Sequence, residues 1–227
     1  LDKSEKSPDY KTSFDNLVEA LTSIKSYLNE PLSTTLNEKP VFLGNYIVSR
    51  IEEKLDGLEL ISAKTSLVFN FKNCYRDTSN WLLTFDGEPV SKMPVRIKFI
   101  TYSAQEITSD QNGVLSYPIL IKYQENTQRK IEAWIALSDW IDTPLLLSLF
   151  EDKYAFQTQN TNSLSPAFFV NTEKGMGQIQ KQIIKSGGRI VVNKDDADLI
   201  INFKFDTNDL GKANDFYTAK CEINAMI

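Results

Sequence analysis

The sequence of 227 residues contains no histidine. Histidine is the usual general base of Ser–His–Asp and Cys–His triads and a frequent ligand of zinc and iron, so its absence excludes these hydrolase mechanisms and metal sites. An enzyme that uses only carboxylates, or a serine with a lysine, is still compatible with the sequence. Our expectation is a protein without catalytic activity, cofactor or bound metal.

Cysteine is scarce as well, with Cys74 and Cys221 far apart in the sequence. Spacing alone says nothing about whether two sulfur atoms come close in the fold. A disulfide between them and a pair of buried free thiols are both open. We expect buried thiols, because an unpaired cysteine behaves as a small apolar side chain.

The chain also lacks an excess of positive charge and any long apolar run. Its net charge is −5, with 24% charged and 41% hydrophobic residues, which predicts a folded globular protein that does not bind nucleic acid or an anionic membrane. A membrane-spanning helix needs about 20 apolar residues in succession, and no stretch approaches this length. Because the first residue is Leu1 and not Met, we expect a mature product or a piece of a longer chain.

Apolar and polar residues alternate through the middle of the sequence. Val95, Ile97 and Phe99 alternate with charged residues, so a strand there buries one face and exposes the other. The turn dipeptides Asp86-Gly87 and Asn112-Gly113 separate such segments, and this spacing is typical of an antiparallel β-sandwich. The other alternating sets are Leu67, Phe69 and Phe71; Trp81, Leu83 and Phe85; Leu115, Tyr117, Ile119, Ile121 and Tyr123; and Ile131, Ala133, Ile135 and Leu137.

The segment DGEPVSKMPVRIKF, followed by TSDQNGVLSYPI, resembles the bacterial immunoglobulin-like repeats of surface and envelope proteins. These repeats share a D-G-x-P-V turn, a P-V-x-hydrophobic-x-F strand and a T-x-D-x-x-G-hydrophobic motif. The resemblance covers about residues 58–140. It implies an immunoglobulin-like sandwich that serves as a spacer, an adhesin stalk or an interaction module, and it argues against catalysis.

Ahead of the sandwich, apolar residues recur at three- and four-residue steps and predict two amphipathic helices. Thr12 or Ser13 is the expected N-cap of the first helix, which Pro31 ends, and Gly57 is the expected C-cap of the second. A loop through Pro40 joins them. A helical hairpin packed on the sandwich and a coiled-coil partner helix are both open. The apolar stripes are Phe14, Leu17, Leu21, Ile24 and Leu28, then Ile47, Ile51 and Leu55.

The alternation stops between Asp139 and Gln159, where we expect a short helix or turn, and the polar run 157–165 is predicted to be a domain boundary. Beyond it the order is a strand at 167–170, a helix ended by Gly187-Gly188, and strands at 189–192, 199–205 and 217–225. This order predicts a small α/β domain with one sheet covered by at least one helix.

The run GGRIVVNKDDADLIINFKFDT, with GKANDFYTAKCEINAMI after it, resembles the small domain of several bacterial envelope lipoproteins. Relatives of this type are the penicillin-binding-protein activator lipoproteins, the curli-secretion lipoproteins and the amino-terminal domain of TolB. The resemblance covers about residues 165–227. It implies a periplasmic or outer-membrane protein that works through protein contacts, anchored through a lipidated cysteine upstream of residue 1.

Three groups of acidic residues are candidate sites. Asp195, Asp196 and Asp198, with Asp206 and Asp209, could ligate Ca²⁺, but their spacing fits no EF-hand and a solvated turn is the simpler interpretation. The adjacent pairs Glu52-Glu53 and Glu151-Asp152 could be imagined as acid and base of a glycosidase, but neighbouring carboxylates diverge.

Three aromatic residues are the candidate binding surface. Tyr102, Trp134 and Trp140 could form an exposed platform for a sugar or a protein, and packing in the core or at a domain interface is the alternative interpretation.

Taken together, the sequence predicts an α+β multidomain protein. We expect a helical lead-in at 1–57, an immunoglobulin-like sandwich at 58–150 and a small α/β domain at 160–227. The expected function is a non-catalytic scaffold or interaction module of the bacterial cell envelope, with other envelope proteins as partners and self-association through the C-terminal edge strand. A carbohydrate-binding or adhesin-type surface module is the alternative.

Overall fold

The computed structural model describes residues 9–28, 30–36, 39–99, 103–121, 127–172, 175–204, 212–213, 216–217 and 222–226. Within these ranges the chain is a mixture of α-helices and β-sheets, many of them antiparallel. The predicted α+β class is therefore confirmed at this level.

The helices of the described part are α1 (Tyr10–Ser23), α2 (Leu43–Asp56), α3 (Pro144–Leu147) and α4 (Met176–Lys185). Short 3₁₀ turns occur at Lys25–Tyr27, Leu137–Asp139 and Lys194–Asp196. Among the described residues, no helix is both long enough and apolar enough to cross a bilayer.

The strands follow in chain order: β1 (Ser33–Leu36), β2 (Lys39–Phe42), β3 (Leu58–Ser62), β4 (Ser66–Phe69), β5 (Arg76–Phe85), β6 (Glu88–Pro89), β7 (Pro94–Phe99), β8 (Gln105–Thr108), β9 (Val114–Leu120), β10 (Thr127–Ile135), β11 (Tyr154–Ser163), β12 (Ala167–Thr172), β13 (Arg189–Ile190), β14 (Leu199–Lys204), β15 (Lys212–Ala213), β16 (Phe216–Tyr217) and β17 (Glu222–Met226).

The strands pair into separate sheets. One sheet has the order β4-β11-β10-β7-β8, and a second joins β3, β5 and β6, with β9 also paired to β5. A third has the order β13-β12-β14-β17, while β1 pairs with β2 and β15 with β16.

By its internal contacts the chain divides into two compact units. Unit 1 comprises Leu1–Leu67, Thr78–Pro118 and Arg129–Asn160, and unit 2 comprises Val68–Asp77, Ile119–Gln128 and Thr161–Ile227. The helices α1 and α2 thus belong to the same unit as most of the strands between 78 and 160. The division at 57 and 160 into three domains stays a prediction.

In unit 1, helix α1 begins three residues earlier than its sequence pattern indicates. Asp9, and not Thr12 or Ser13, is its N-cap, because the Asp9 carboxylate accepts hydrogen bonds from the backbone N–H and the hydroxyl of Thr12. The first turn is fixed by Tyr10, whose hydroxyl donates to the carbonyl oxygen of Lys54 at 2.7 Å. The apolar stripe is confirmed at Phe14, Leu17 and Leu21, which are buried. The helix ends at Ser23 and not at Pro31 as predicted, so Leu28 lies beyond it.

Helix α2 follows the prediction closely. Ile47, Ile51 and Leu55 are almost completely buried, and Gly57 is the C-cap. The segment before α2 was predicted to be a loop through Pro40, which is wrong. Here β1 and β2 form an antiparallel pair in which Thr35 lies opposite Pro40.

The strands of unit 1 alternate as predicted: Val95, Ile97 and Phe99 of β7 are buried, as are Leu115 and Tyr117 of β9. The turn between β5 and β6 has positive φ at both Asp86 and Gly87, as a type I′ hairpin turn requires.

The ten-residue strand β11 was not predicted, and it covers most of the polar run that was expected to be a domain boundary. The division between the two compact units falls within this run, between Asn160 and Thr161. Its Gln159 is buried and accepts a hydrogen bond from the Ser79 hydroxyl on β5 at 2.5 Å. The amide nitrogen of Gln159 donates to the Ser62 hydroxyl and to the carbonyl oxygen of Lys64. These hydrogen bonds satisfy the buried amide of Gln159, and therefore a polar side chain can occupy an inward-facing position of β11.

In unit 2, β12 pairs in parallel with β13 and β14, and β17 pairs antiparallel with β14. Helix α4 packs on β12 and β13. At Gly188 the fit is tight, because a Cβ atom there would lie 2.6 Å from the Phe168 ring and 2.8 Å from Ile183. The predicted order of one helix and several strands in a single sheet is confirmed over the described residues.

Candidate functional site

An open groove in unit 1 is the clearest candidate for a binding site. It lies along one side of helix α2, beside α3 and the segment that follows α3, and has a volume of about 260 Å³. Its lining, here called the α2 groove, consists of Leu28, Gly44, Asn45, Val48, Ser49, Glu52, Leu145 and Leu149.

Helix α2 can serve both the core and the groove because its two faces differ in composition. Ile47, Ile51 and Leu55 are spaced by four residues and face inward. Gly44 and Val48, also four apart, lie one step around the helix and line the groove. Small side chains on this second face leave room for an incoming group.

The floor of the groove is apolar but not crowded. A Cβ atom added at Gly44 would lie 3.6 Å from Leu28 and 4.0 Å from Ile24, which is ordinary van der Waals contact. This end of the groove therefore consists of aliphatic carbon around a glycine.

Leu145 and Leu149, which are four residues apart, form the outer wall of the groove. Leu145 is 59% exposed and Leu149 is 41% exposed, whereas Leu146 between them is fully buried. The single turn of α3 directs Leu146 into the core, leaves Leu147 half-buried and exposes Leu145.

Glu52 is the acidic residue among the described residues that line the groove. Burial is the main cause that raises the pKa of the Tyr154 hydroxyl, and the negative charges of Glu151, Glu52 and Asp56 raise it further. Because Glu52 also lines the groove, its carboxylate is available to a positively charged group of a partner.

Other groups with displaced pKa values lie outside the groove. Burial raises the pKa of the Tyr10 hydroxyl and lowers that of the Lys54 ammonium, whose nitrogen lies 5.0 Å from the Tyr10 ring centre and 5.5 Å from that of Phe85. These cation–π contacts join the start of α1 to the end of α2. This cluster therefore has a structural role.

The three aromatic candidates are not brought together in the described structure. Trp134 is only 7% exposed, and the Lys153 ammonium covers its ring at 4.5 Å from the centre. Trp140 is half-buried and packs edge-on against Phe14 at 5.4 Å. Tyr102 lies outside the described residues, and a joint role of the three in binding stays a prediction.

Arg96 of β7 lies opposite Trp134 of β10 and forms a salt bridge with Asp139. The hydrogen bond to the Asp139 carboxylate is the main cause that raises the pKa of Arg96. Asp139 is 7% exposed, so the pair fixes the 3₁₀ turn after β10 to β7.

The carboxylates that could ligate Ca²⁺ have separate structural roles where the structure describes them. Asp198 accepts a hydrogen bond from the backbone N–H of Ala167 at 2.8 Å, and Asp195 and Asp196 are exposed in the 3₁₀ turn. Asp206 and Asp209 lie outside the described residues. Within the ranges the structure describes, no three acidic, cysteine or histidine side chains are grouped as a metal site requires.

The expectation of a buried thiol is wrong for Cys74, which is exposed. It lies in the loop between β4 and β5 with a positive φ of 51°. Reciprocal hydrogen bonds between Asn70 and Asn73 hold the loop at the surface. Cys221 lies outside the described residues, so a disulfide between the two stays untested.

The sequence did not identify the α2 groove, although one signal was present. Leu145, Leu146, Leu147 and Leu149 form a leucine-rich run that was interpreted as packing. Three of these leucines lie in the single turn of α3, which is more than that turn can bury, and this is itself a sign of an exposed apolar surface.

Comparisons with known proteins add little. No protein-family model matches the chain, and no curated protein matches it. Among solved structures, the D00-D0 domain of intimin is similar over 46% of this chain and 43% of that chain, with 15% sequence identity and a TM-score of 0.25. The alignment thus spans less than half of either chain, and a superposition this loose carries no argument.

Proposed function

We propose that the protein is a non-catalytic interaction protein whose α2 groove binds an apolar segment of a partner protein. The observation that carries the proposal is the groove itself, with exposed leucines on its wall, small side chains on its floor and the carboxylate of Glu52 in its lining.

The volume of the groove favours side chains over a small-molecule ligand. Pockets for small molecules usually measure about 300–1,000 Å³ and bury most of the ligand. The α2 groove, at about 260 Å³, is smaller than that range. It suits one or two large apolar anchors, which is how a partner helix or extended segment is held at a protein interface.

The charge around the groove favours one kind of partner segment. Glu52 lines the groove and Glu151 and Asp56 are near enough to act on Tyr154. A partner whose apolar anchors are flanked by Lys or Arg would gain from these carboxylates. We therefore propose a basic amphipathic segment as the binding element of the partner.

The proposed setting is the bacterial cell envelope, with the protein exported and other envelope proteins as partners. This rests on the resemblance of 58–140 to bacterial immunoglobulin-like repeats and of 165–227 to envelope lipoprotein domains. The two antiparallel sheets of unit 1 and the type I′ turn at Asp86-Gly87 support an immunoglobulin-like sandwich. Anchoring upstream of residue 1 and self-association through β17, the last strand of its sheet, stay predictions.

A carbohydrate-binding module is the weaker candidate. Sugar rings stack on the face of an exposed aromatic side chain, and the face of Trp134 is occupied by Lys153. Binding on a glycan array that is lost in Trp134→Ala would revive it.

Site-specific photo-crosslinking in the source cells tests the proposal. A benzophenone amino acid at Ser49, an exposed residue of the groove, is expected to give one discrete adduct with a partner protein. The matched control has the same amino acid at Glu53, which is exposed on α2 but does not line the groove. Equal adducts at both positions, or none at Ser49, would contradict the proposal.

A second variant checks that the groove carries the affinity. Leu149→Asp places a charge on the exposed wall, and we expect it to abolish the Ser49 adduct without loss of folding, because Leu149 is 41% exposed. Leu149→Ala is expected to weaken the isolated complex about tenfold, the usual effect of truncating one anchor at an interface.

A further inference from the structure

A second groove lies in unit 2, along helix α4. The described residues that line it are Gln178, Ile179, Lys181, Gln182, Ile183 and Ile201, here called the α4 groove. Its volume is about 520 Å³, twice that of the α2 groove. This volume falls inside the usual range for small-molecule sites of about 300–1,000 Å³.

The floor of the α4 groove is aliphatic. Ile179 and Ile183 are four residues apart on the helix, and Ile201 comes from the middle of β14. All three isoleucines are half-buried, so each presents part of its side chain to the groove. A hydrocarbon chain is the ligand chemistry that such a surface accepts.

The rim is polar and positively charged. Gln178 and Gln182 are also four residues apart and supply amide groups, and Lys181 supplies an ammonium. Helix α4 contains Lys181 and Lys185 but no acidic residue, in a chain whose net charge is −5. The helix is therefore a local positive surface, and the charge of a complementary ligand is negative.

We propose that the α4 groove binds the monomeric anion of a long-chain aliphatic carboxylic acid. The hydrocarbon chain lies on Ile179, Ile183 and Ile201, and the carboxylate pairs with Lys181. Gln178 and Gln182 donate further hydrogen bonds to the carboxylate oxygens. This site is separate from the groove of the proposed function, so either can fail while the other holds.

Chain length is the first test, with octanoate, decanoate and dodecanoate titrated into the full chain below their micelle concentrations. Burial of one methylene group is worth a factor of about four in affinity, so dissociation constants should fall stepwise along the series. In methyl-resolved NMR spectra, the resonances of Ile179, Ile183 and Ile201 should shift with saturation. Shifts confined to α2 groove residues, or the absence of saturable shifts, would overturn the proposal.

The second test separates the charge from the hydrocarbon. Lys181→Glu is expected to weaken dodecanoate binding at least tenfold, whereas Lys185→Glu, on the same helix but outside the groove lining, should change it less than twofold. Decanol, which has the same chain chemistry without the charge, should bind Lys181→Glu and the unchanged protein equally. Equal effects of the two lysine variants on dodecanoate would contradict an ion pair at Lys181.

Two further arms identify other occupants. Gln182→Trp fills the groove from an exposed position and should abolish binding while leaving the circular dichroism spectrum unchanged. Vesicles of phosphatidylglycerol that bind the protein when monomeric dodecanoate does not would replace the free acid with a membrane surface. An amphipathic peptide that shifts the three isoleucines, with no response to any fatty acid, would replace it with a protein partner.

Discussion

The glycine of the Asn112-Gly113 turn is predicted to be far less replaceable than the glycine of the Asp86-Gly87 turn. Both have positive φ, 73° at Gly113 and 83° at Gly87. A Cβ atom at Gly87 would meet nothing within 4 Å. At Gly113 it would lie 2.5 Å from the carbonyl oxygen of Leu83 and 3.2 Å from the backbone nitrogen of Val90.

The magnitudes follow from these surroundings. An alanine in the left-handed region costs about 1 kcal/mol, and this is the full expected cost of Gly87→Ala. At Gly113 the added methyl group collides with backbone atoms, which cannot rotate away as a side chain can. Overpacking of this kind costs about 2 kcal/mol more, so Gly113→Ala should lower the free energy of unfolding by about 3 kcal/mol.

The collision at Gly113 would also strain the hydrogen bonds that hold this turn. The Leu83 N–H donates to the carbonyl oxygen of Gly113 at 2.9 Å, and the Asp110 carboxylate accepts from the backbone N–H groups of Asn112 and Val114. A shift of the turn would strain these bonds together, which is why the cost cannot be relieved locally.

Urea unfolding followed by tryptophan fluorescence measures the effect. All three tryptophans, Trp81, Trp134 and Trp140, belong to unit 1, so the signal reports on the unit that contains both turns. With a slope of about 2 kcal/mol per molar urea, the midpoint should fall by about 0.5 M in Gly87→Ala and about 1.5 M in Gly113→Ala. Equal midpoints for the two variants would refute the steric argument.

Three further predictions concern helix α1. Asp9→Ala should lower the free energy of unfolding by about 1 kcal/mol at neutral pH, because it removes the N-cap. The hydrogen bond from Thr12 lowers the pKa of Asp9, so this difference should vanish as the pH falls through that pKa. Urea unfolding against pH measures it, with Asp9→Asn as the control. Tyr10→Phe should reduce the loss of stability above about pH 10, because burial raises the pKa of Tyr10 and the folded state holds its proton while the unfolded chain ionises; an unchanged alkaline midpoint would contradict this. Phe14→Ala should cost about 3–5 kcal/mol in thermal unfolding, because Phe14 is fully buried against Trp140.

The elements that could be predicted from the sequence are those with a repeated apolar period and a clear end signal. The stripe of α2 ends at Gly57, and the alternation of β7 runs from Val95 to Phe99, so one face and one boundary determine each element. Helix α4 was found in the same way, since the pair Gly187-Gly188 follows its last turn.

The two main errors have different physical reasons. Strand β11 has a polar residue at an inward position, and partners distant in sequence, Ser79 and Ser62, satisfy the amide of Gln159 there. Local propensity does not contain these partners. The start of α1 was missed although its signal is local, because the Asp9 carboxylate caps the helix through Thr12, three residues away.

The α2 groove shows why a binding surface is harder to predict than the core around it. Leu28 follows α1, Gly44 and Val48 lie on α2, and Leu149 follows α3, so the lining comes from three separate parts of the chain. Periodicity reports which residues of one element share a face, but it does not report which faces meet. The sequence does show that the turn at 144–147 has more leucines than it can bury. In the structure, Leu146 is buried and Leu145 is exposed. Exposed leucines lower the solubility of a protein and do not stabilise its core, so their presence at this position suggests that a partner binds there.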